Sequence, residues 1–241
     1  MNKLLYRLPS KTVNRIERIL LIAQTDYHIR YYGSKLGVLW AFINPFFQIL
    51  VFYFAFSYIL GTGSQPNFIL YLFTGIITWE FFSETTNESI RLFLSKRFIL
   101  QNIKINKIDF FVSLLLSKFR GYMVNFAIFI AFSLLFFDPV YSWKLLYLIP
   151  VLIGLLVFII GITFILATLF IFFRDLDHFW SVVLMGGFWG IPIIWDYKIA
   201  YEKFPFMLYN PLTIYAINIR QILLENATPD LEHLYIALII S

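Results

Sequence analysis

The chain has 241 residues, of which 60% are hydrophobic and only 14% charged, and its formal net charge is +5. Soluble domains carry roughly 25% charged residues, so this composition excludes an ordinary soluble protein and predicts a helical membrane protein. The sequence contains no cysteine, which excludes disulfides, thiolate catalysis and cysteine-based metal sites.

The first 36 residues form a basic segment. Within it Val13, Ile16, Leu20, Ala23 and Tyr27 recur at three- and four-residue steps, which places them on one face of a helix. This pattern predicts an amphipathic helix in the headgroup region, with its basic face towards anionic lipid. A helix packed on a soluble partner is the alternative. We therefore assign residues 1–36 to a cytoplasmic interface segment and residues 37–241 to a transmembrane domain.

Five apolar segments follow, at residues 37–60, 68–87, 110–137, 145–173 and 179–195. A helix of about 20 residues crosses the hydrocarbon core, so these segments predict five spans. Residues 234–241 are apolar but too few to cross, which predicts the start of a truncated sixth span, with a five-span protein as the alternative. Basic residues cluster before the first span and between the second and third. The positive-inside rule then places the N-terminus in the cytoplasm and residues 196–233 outside.

Glu80, Glu84 and Glu88 are spaced four residues apart and share one face of the second span. Carboxylates within a membrane are costly unless they face a polar interior or a cation. We predict that Glu84 or Glu88 pairs with Lys118 or Arg120 of the antiparallel third span, because burying both signs together lowers the desolvation cost. A proton relay through the same carboxylates is the alternative.

The chain after the fifth span contains helix-breaking and helix-starting residues. Gly190 and Pro192 make an unbroken helix at the outer end of the span unfavourable. Asn210 and Pro211 are the N-cap and first-turn residues of a new helix, which continues through Tyr215. This pattern predicts a helix returning into the outer leaflet, with a lid on the surface as the alternative.

Motifs for catalysis or nucleotide binding are missing from the sequence. His28, His178 and His233 have no spacing typical of metal ligands. The Gly-Thr-Gly at 61–63 lacks the downstream Gly-Lys-Ser/Thr of a phosphate-binding loop. We therefore predict no catalytic residue and no metal site, and active transport by this chain requires ATP hydrolysis on another polypeptide.

Four segments resemble the permease subunits of ABC-2-type polysaccharide exporters. They are RYYGSKLGVLWAFINP at 30–45, TGIITWEFF at 74–82, FFRDL at 172–176, and NPL at 210–212 with Arg220 downstream. Members of this family are six-span permeases that export O-antigen, capsular polysaccharide or teichoic acid with a separate ATPase. The resemblance implies a multi-pass transport subunit for a lipid-linked, O-antigen-like polysaccharide in the cytoplasmic (inner) membrane of a prokaryote.

The resemblance also implies partners and sites. It implies a homodimer, an ATPase partner that holds ATP and Mg²⁺, contact with membrane lipid, and neither a cofactor on this chain nor a nucleic-acid partner. A short coupling helix that docks on the ATPase falls near residues 101–109. The candidate coupling residues are Ile103, Lys104, Ile105, Lys107, Ile108, Asp109, Arg174 and Asp175.

Two further sets of residues are expected to serve transport. The fifth span and the helices after it correspond to the family's outer gate, with Gly190, Pro192, Asn210, Pro211 and Tyr215 as candidates. Aromatic rings of the first span are suited to stacking on sugar rings. The candidate translocation-path residues are Trp40, Asn44, Gln48 and Tyr53.

Three other functions compete with polysaccharide export. A membrane-embedded glycosyl- or lipid-transferring enzyme needs positioned acids, bases or a metal near the interface, and the Glu80, Glu84 and Glu88 stripe is the one candidate for these. A non-catalytic scaffold needs no path for a carbohydrate. An ABC-2 exporter of another substrate shares the permease features.

Overall fold

The computed structural model describes residues 10–30, 35–59, 61, 67–102 and 105–241. These residues form eleven α-helices and no strand, which confirms the all-α prediction. The helices are α1 (Ser10–Arg30), α2 (Trp40–Phe54), α3 (Phe68–Ile90), α4 (Leu92–Ser95), α5 (Arg97–Asn102), α6 (Lys107–Phe136), α7 (Leu148–Phe172), α8 (Leu176–Gly190), α9 (Lys198–Glu202), α10 (Pro211–Leu224) and α11 (Leu231–Ile240).

The helix α3 lies at the centre of the bundle, in contact with α2, α6, α7, α8 and α10. It is buried on most of its faces, although it carries several hydroxyl side chains. Each serine and threonine hydroxyl of α3 donates to a carbonyl three or four residues earlier, as in Thr78 Oγ1 to Thr74 O at 2.8 Å and Thr85 Oγ1 to Phe81 O. Because these hydroxyl groups are satisfied within the helix, they lower the cost of packing α3 on most of its faces.

The helix α10 packs on α3, α7 and α11 and is buried almost all round. Asn210 Oδ1 accepts a hydrogen bond from Leu212 N at 3.1 Å, and Pro211 occupies the first turn. The predicted helix start at these two residues is confirmed. Nearly every residue of α10 is buried, so this helix packs within the core of the chain. Its predicted return into the outer leaflet stays a prediction.

The helix α1 packs against the first half of α6. Ala23 and Tyr27 are buried, and Ser113 Oγ donates to Ile19 O at 3.1 Å. Lys96 pairs with Asp26, which ties α1 to the short connection between α4 and α5. The apolar stripe of α1 is therefore covered in part by its own chain. The two predicted environments, lipid headgroups and a soluble partner, did not include this contact.

Among the residues that the structure describes, two helical segments are long and apolar enough to cross a membrane, namely Lys107–Phe136 and Trp143–Phe172. The predicted total of five spans stays a prediction. The helix in the predicted fifth span, α8, begins earlier than expected, at Leu176, and stops at Gly190, two residues before Pro192, which has no amide hydrogen to continue it. These two segments, together with the large apolar side chains exposed on α7 and α8, are consistent with the helical membrane protein predicted from composition.

Candidate functional site

A polar cavity of about 730 Å³ lies between α2, α3 and α6. Trp40 and Asn44 of α2 line one wall, Glu84 and Glu88 of α3 line another, and Lys118 of α6 lies opposite them. Two of the four candidate path residues therefore face the same space as the acidic stripe. Gln48 lies in an adjoining groove of about 460 Å³ beside α8, and Glu84 lines both spaces. Tyr53 packs against Phe68 instead, with ring centroids 6.5 Å apart.

Lys118 pairs with two carboxylates at the cavity wall. Its Nζ lies 3.5 Å from Glu84 Oε2 and in closer contact with Glu88 Oε2. The lysine is 6% exposed, whereas both glutamates are about half-exposed to the cavity. Arg120 lies elsewhere, with its guanidinium carbon 4.6 Å from the centre of the Tyr27 ring. The buried ammonium is thus neutralised by carboxylates that remain accessible to a ligand.

The register between α3 and α6 brings these charges together. The rings of Phe81 and Tyr122 stack with centroids 5.0 Å apart, one turn of α6 beyond Lys118. One turn further still, Asn125 is 8% exposed at the cavity wall, and its Oδ1 accepts no hydrogen bond from the described residues. A buried acceptor of this kind is suited to a hydroxyl group from a ligand.

The cavity therefore combines the groups that bind a hydroxyl-rich molecule. Carboxylates and an amide oxygen accept hydrogen bonds, and Lys118 donates them. The Trp40 ring, 39% exposed, offers an apolar face for the C–H groups of a sugar ring. Such binding needs no reactive nucleophile and no metal ligand.

The gate candidates lie at the end of α8, in the break that follows it and in the first turns of α10. Gly190 ends α8, and Pro192 lies in the break that follows. Asn210 and Pro211 begin α10, where the buried Tyr215 shares a hydrogen bond with Ser241 Oγ at 2.8 Å. A residue that the sequence analysis did not assign to the gate, Arg220, contacts the break directly.

A hydrogen-bonded cluster lies in the segment predicted to be outside. The Tyr197 hydroxyl donates to Glu225 Oε1 at 2.6 Å, and the Tyr201 hydroxyl donates to Asp230 Oδ2 at 2.7 Å. His233 Nδ1 also contacts Asp230 Oδ2. Burial and the adjacent carboxylates raise the pKa of both tyrosines, so both remain neutral donors. Although burial opposes it, the Tyr201 and His233 hydrogen bonds lower the pKa of Asp230. This cluster fixes α9 and α11 to the end of α10.

The candidate coupling residues are only partly on an exposed surface. Ile108 is 47% exposed and Lys107 is exposed, whereas Ile105 is half-buried. Arg174 and Asp175 are exposed at the turn before α8. Ile103 and Lys104 lie outside the described residues.

Asp109 is fully buried and bonds within the chain. It accepts hydrogen bonds from Arg15 Nε at 2.8 Å and from an Arg18 terminal nitrogen at 3.1 Å. The sequence pattern did not predict this pairing, since the two arginines lie 94 and 91 residues before Asp109 in the chain. It also missed Phe98 of α5, which is 78% exposed beside the predicted coupling segment.

No protein-family model matches the chain. The chain is 29% identical over 224 residues to an O-antigen export system permease protein RfbA from Klebsiella pneumoniae, covering 92% of this chain and 84% of the relative. A second protein of that name from the same organism is 28% identical over 90% of this chain and 84% of the relative. A third, from Myxococcus xanthus, is 24% identical over 90% of this chain and 84% of the relative.

Proposed function

We propose that this chain is the membrane-spanning permease subunit of an ATP-driven exporter that moves an O-antigen-like, lipid-linked polysaccharide across the cytoplasmic membrane. The observation that carries the proposal is the similarity, over 90–92% of the chain, to three proteins named as O-antigen export permeases. These relatives confirm the resemblance drawn from the four sequence segments. As they are permeases, the chain is a transport subunit and not an enzyme.

An ATPase subunit is the first partner that the function requires. The chain has no phosphate-binding loop, so ATP and Mg²⁺ bind on that partner. We place the docking surface on exposed apolar residues near the start of α6, namely Leu94, Phe98 and Ile108, with Lys107 beside them. Asp109 is removed from this surface because its carboxylate already bonds to α1. The exposed Arg174 and Asp175 form the alternative docking site.

A second copy of the chain is the other proposed partner. Large apolar side chains are exposed on α2 and α8, among them Phe47 and Val51 on α2 and Met185 and Trp189 on α8. Exposed apolar patches of this kind mark contact with lipid or with another subunit. The cavity is lined by α2 and the adjoining groove by α2 and α8, so a homodimer formed through these helices would enclose both spaces between its subunits.

The two adjoining spaces between α2, α3, α6 and α8 are proposed as the glycan path. Their combined lining offers indole rings, carboxylates and amides, which suit the apolar faces and hydroxyl edges of sugars. The proposal differs from the transferase alternative in its chemistry, because the glycan passes the Glu84 and Glu88 carboxylates without a covalent step.

The experiment that tests this function reconstitutes the chain with its ATPase in proteoliposomes. We expect the two to co-purify, and we expect glycan to be protected from externally added glycosidase only when ATP is hydrolysed. Transfer of sugar or lipid by the chain alone would contradict export and support the enzyme alternative. Membrane insertion with neither ATPase association nor glycan movement would support the scaffold.

A further inference from the structure

The chain leaves the helical conformation between the end of α8 at Gly190 and the start of α9 at Lys198. Ile191, Ile193 and Ile194 in this break are each at most 4% exposed. Carbonyl groups in a non-helical, buried segment have no donors from their own helix. In a membrane protein such groups must be satisfied by a neighbouring element, because lipid supplies no hydrogen bonds.

Arg220 of α10 supplies these donors. It is 1% exposed, and its terminal nitrogens donate to Pro192 O, to Ile193 O at 2.8 Å and to Tyr71 O of α3 at 3.2 Å. A guanidinium presents several donors in a rigid plane, so one side chain reaches three carbonyl groups at once. Arg220 therefore connects the break to two helices of the core.

Two residues of α3 complete the contact. The Tyr71 ring lies 3.6 Å from the guanidinium carbon, and its hydroxyl donates to Trp195 O at 2.7 Å and accepts from Tyr197 N at 3.0 Å. A Cβ at Gly75 would overlap with the guanidinium and approach Ile193 O, so only glycine leaves room there. Arg220 and Tyr71 thus hold the segment from 192 to 197 against α3.

We propose that Arg220 is the positioning residue of the outer gate: it latches the break after α8 onto α3, and the gate opens when the guanidinium releases the Pro192 and Ile193 carbonyls. This inference rests on the proposed export function. The anchors α3 and α10 are buried in the core, whereas α8 has no buried residue. The element that moves on release is therefore α8 together with the break.

The latch is tested first without ATPase or glycan. The chain has no cysteine, so Ile194→Cys provides one buried thiol in the break, to be labelled with a membrane-impermeant maleimide in nanodiscs. We expect Arg220→Lys and Gly75→Ala each to speed labelling by about tenfold or more. The first removes the guanidinium and the second displaces it, so both lose the hydrogen bonds to the Pro192 and Ile193 carbonyls. Gly161→Ala is the matched control, since it is also a glycine within a helix but its new Cβ makes only an ordinary contact.

A second reporter separates gate opening from loss of the fold. Leu114→Cys, 2% exposed in the cluster near the start of α6, is expected to stay protected in every variant. Unchanged labelling of Ile194→Cys in both latch variants would overturn the proposal. Equal acceleration at Ile194→Cys and Leu114→Cys would also overturn it, because Arg220 would then stabilise the fold as a whole.

The final measurement adds the partner ATPase. With the native Arg220, labelling of Ile194→Cys is expected to increase only during ATP hydrolysis, whereas in the Arg220→Lys background it is expected to be fast with or without ATP. A static structural role predicts no ATP dependence in either background, and that result would overturn the latch. Because the first measurement uses neither ATPase nor glycan, a failure of the proposed export function leaves its outcome unchanged.

Discussion

At the scale of single residues, Lys118 and its partners Glu84 and Glu88 differ in how far water reaches them. The ammonium is 6% exposed, while the carboxylates face the cavity and are about half-exposed. A buried charge without a partner is far more costly than a carboxylate that water still reaches. The lysine therefore depends on the glutamates more than they depend on it.

This asymmetry predicts unequal effects of substitution. Glu84→Gln combined with Glu88→Gln is expected to lower the free energy of unfolding by about 3 kcal/mol, because Lys118 remains buried and unpaired. Lys118→Met is expected to lower it by only about 1 kcal/mol, and adding it to the double variant is expected to restore part of the loss. Thermal unfolding in nanodiscs measures each change, with the exposed Glu202→Gln as control. Additive losses would contradict the pairing.

At the scale of elements, α1 and α6 are joined by charge as well as by packing. Arg15 and Arg18 both donate hydrogen bonds to Asp109 in the first turn of α6. The apolar face of α1 packs against α6 as well. Because Asp109 is fully buried, its carboxylate needs donors from the protein, and Arg15 and Arg18 provide them. The start of α6 is therefore held to the N-terminal helix.

Removing this carboxylate is predicted to release α1. Asp109→Ala is expected to increase amide hydrogen exchange across residues 15–29 by about fivefold, since the two arginines that it leaves are 37% and 47% exposed and the pairing is worth about 1 kcal/mol. Exchange in α7 is expected to remain unchanged. The exposed Glu17→Gln, on α1 itself, is the control. Unchanged exchange in α1 would show that packing alone holds the helix.

The proposed docking surface beside α1 leads to a second prediction at this scale. Phe98→Asp and Ile108→Asp are each expected to reduce ATPase association by about tenfold or more, since apolar anchors contribute most of the affinity at such interfaces. Co-purification and ATP-driven export measure the effect, and membrane insertion is expected to be unaffected. Phe206→Asp is the control, because it is similarly exposed but lies in the segment predicted to be outside. Normal association in both variants would contradict this docking surface and favour the alternative site at Arg174 and Asp175.

At the scale of the whole molecule, the distribution of basic residues predicts the orientation. Asn102→Cys is expected to react with an impermeant maleimide only from the cytoplasmic side, and Lys203→Cys only from outside, because lysine and arginine are retained in the cytoplasm. Labelling in right-side-out and inverted vesicles measures this. Ile194→Cys is unsuitable as the outer marker because it is buried. Reaction of Lys203→Cys from the cytoplasmic side alone would overturn the topology.

The sequence by itself determined the helical membrane class, the four-residue stripe of glutamates and the start of α10 at Asn210 and Pro211. These features depend on composition, on the helical period and on local capping, which act between residues close together in the chain. The four resembling segments also pointed to the export permeases, and relatives aligned over nine-tenths of the chain bear this out.

Only the tertiary structure decided which distant residues meet. From the sequence Asp109 is one more charged residue of the predicted coupling segment, and the structure shows that α1 covers it. Arg220 is a single basic residue in an apolar helix, and the structure shows that the break after α8 packs against its guanidinium. The residues around Gly75 in the sequence likewise do not show that its missing side chain makes room for the Arg220 guanidinium. Such contacts arise from which helix faces pack together, and neither helical period nor charge pattern along the chain specifies that choice.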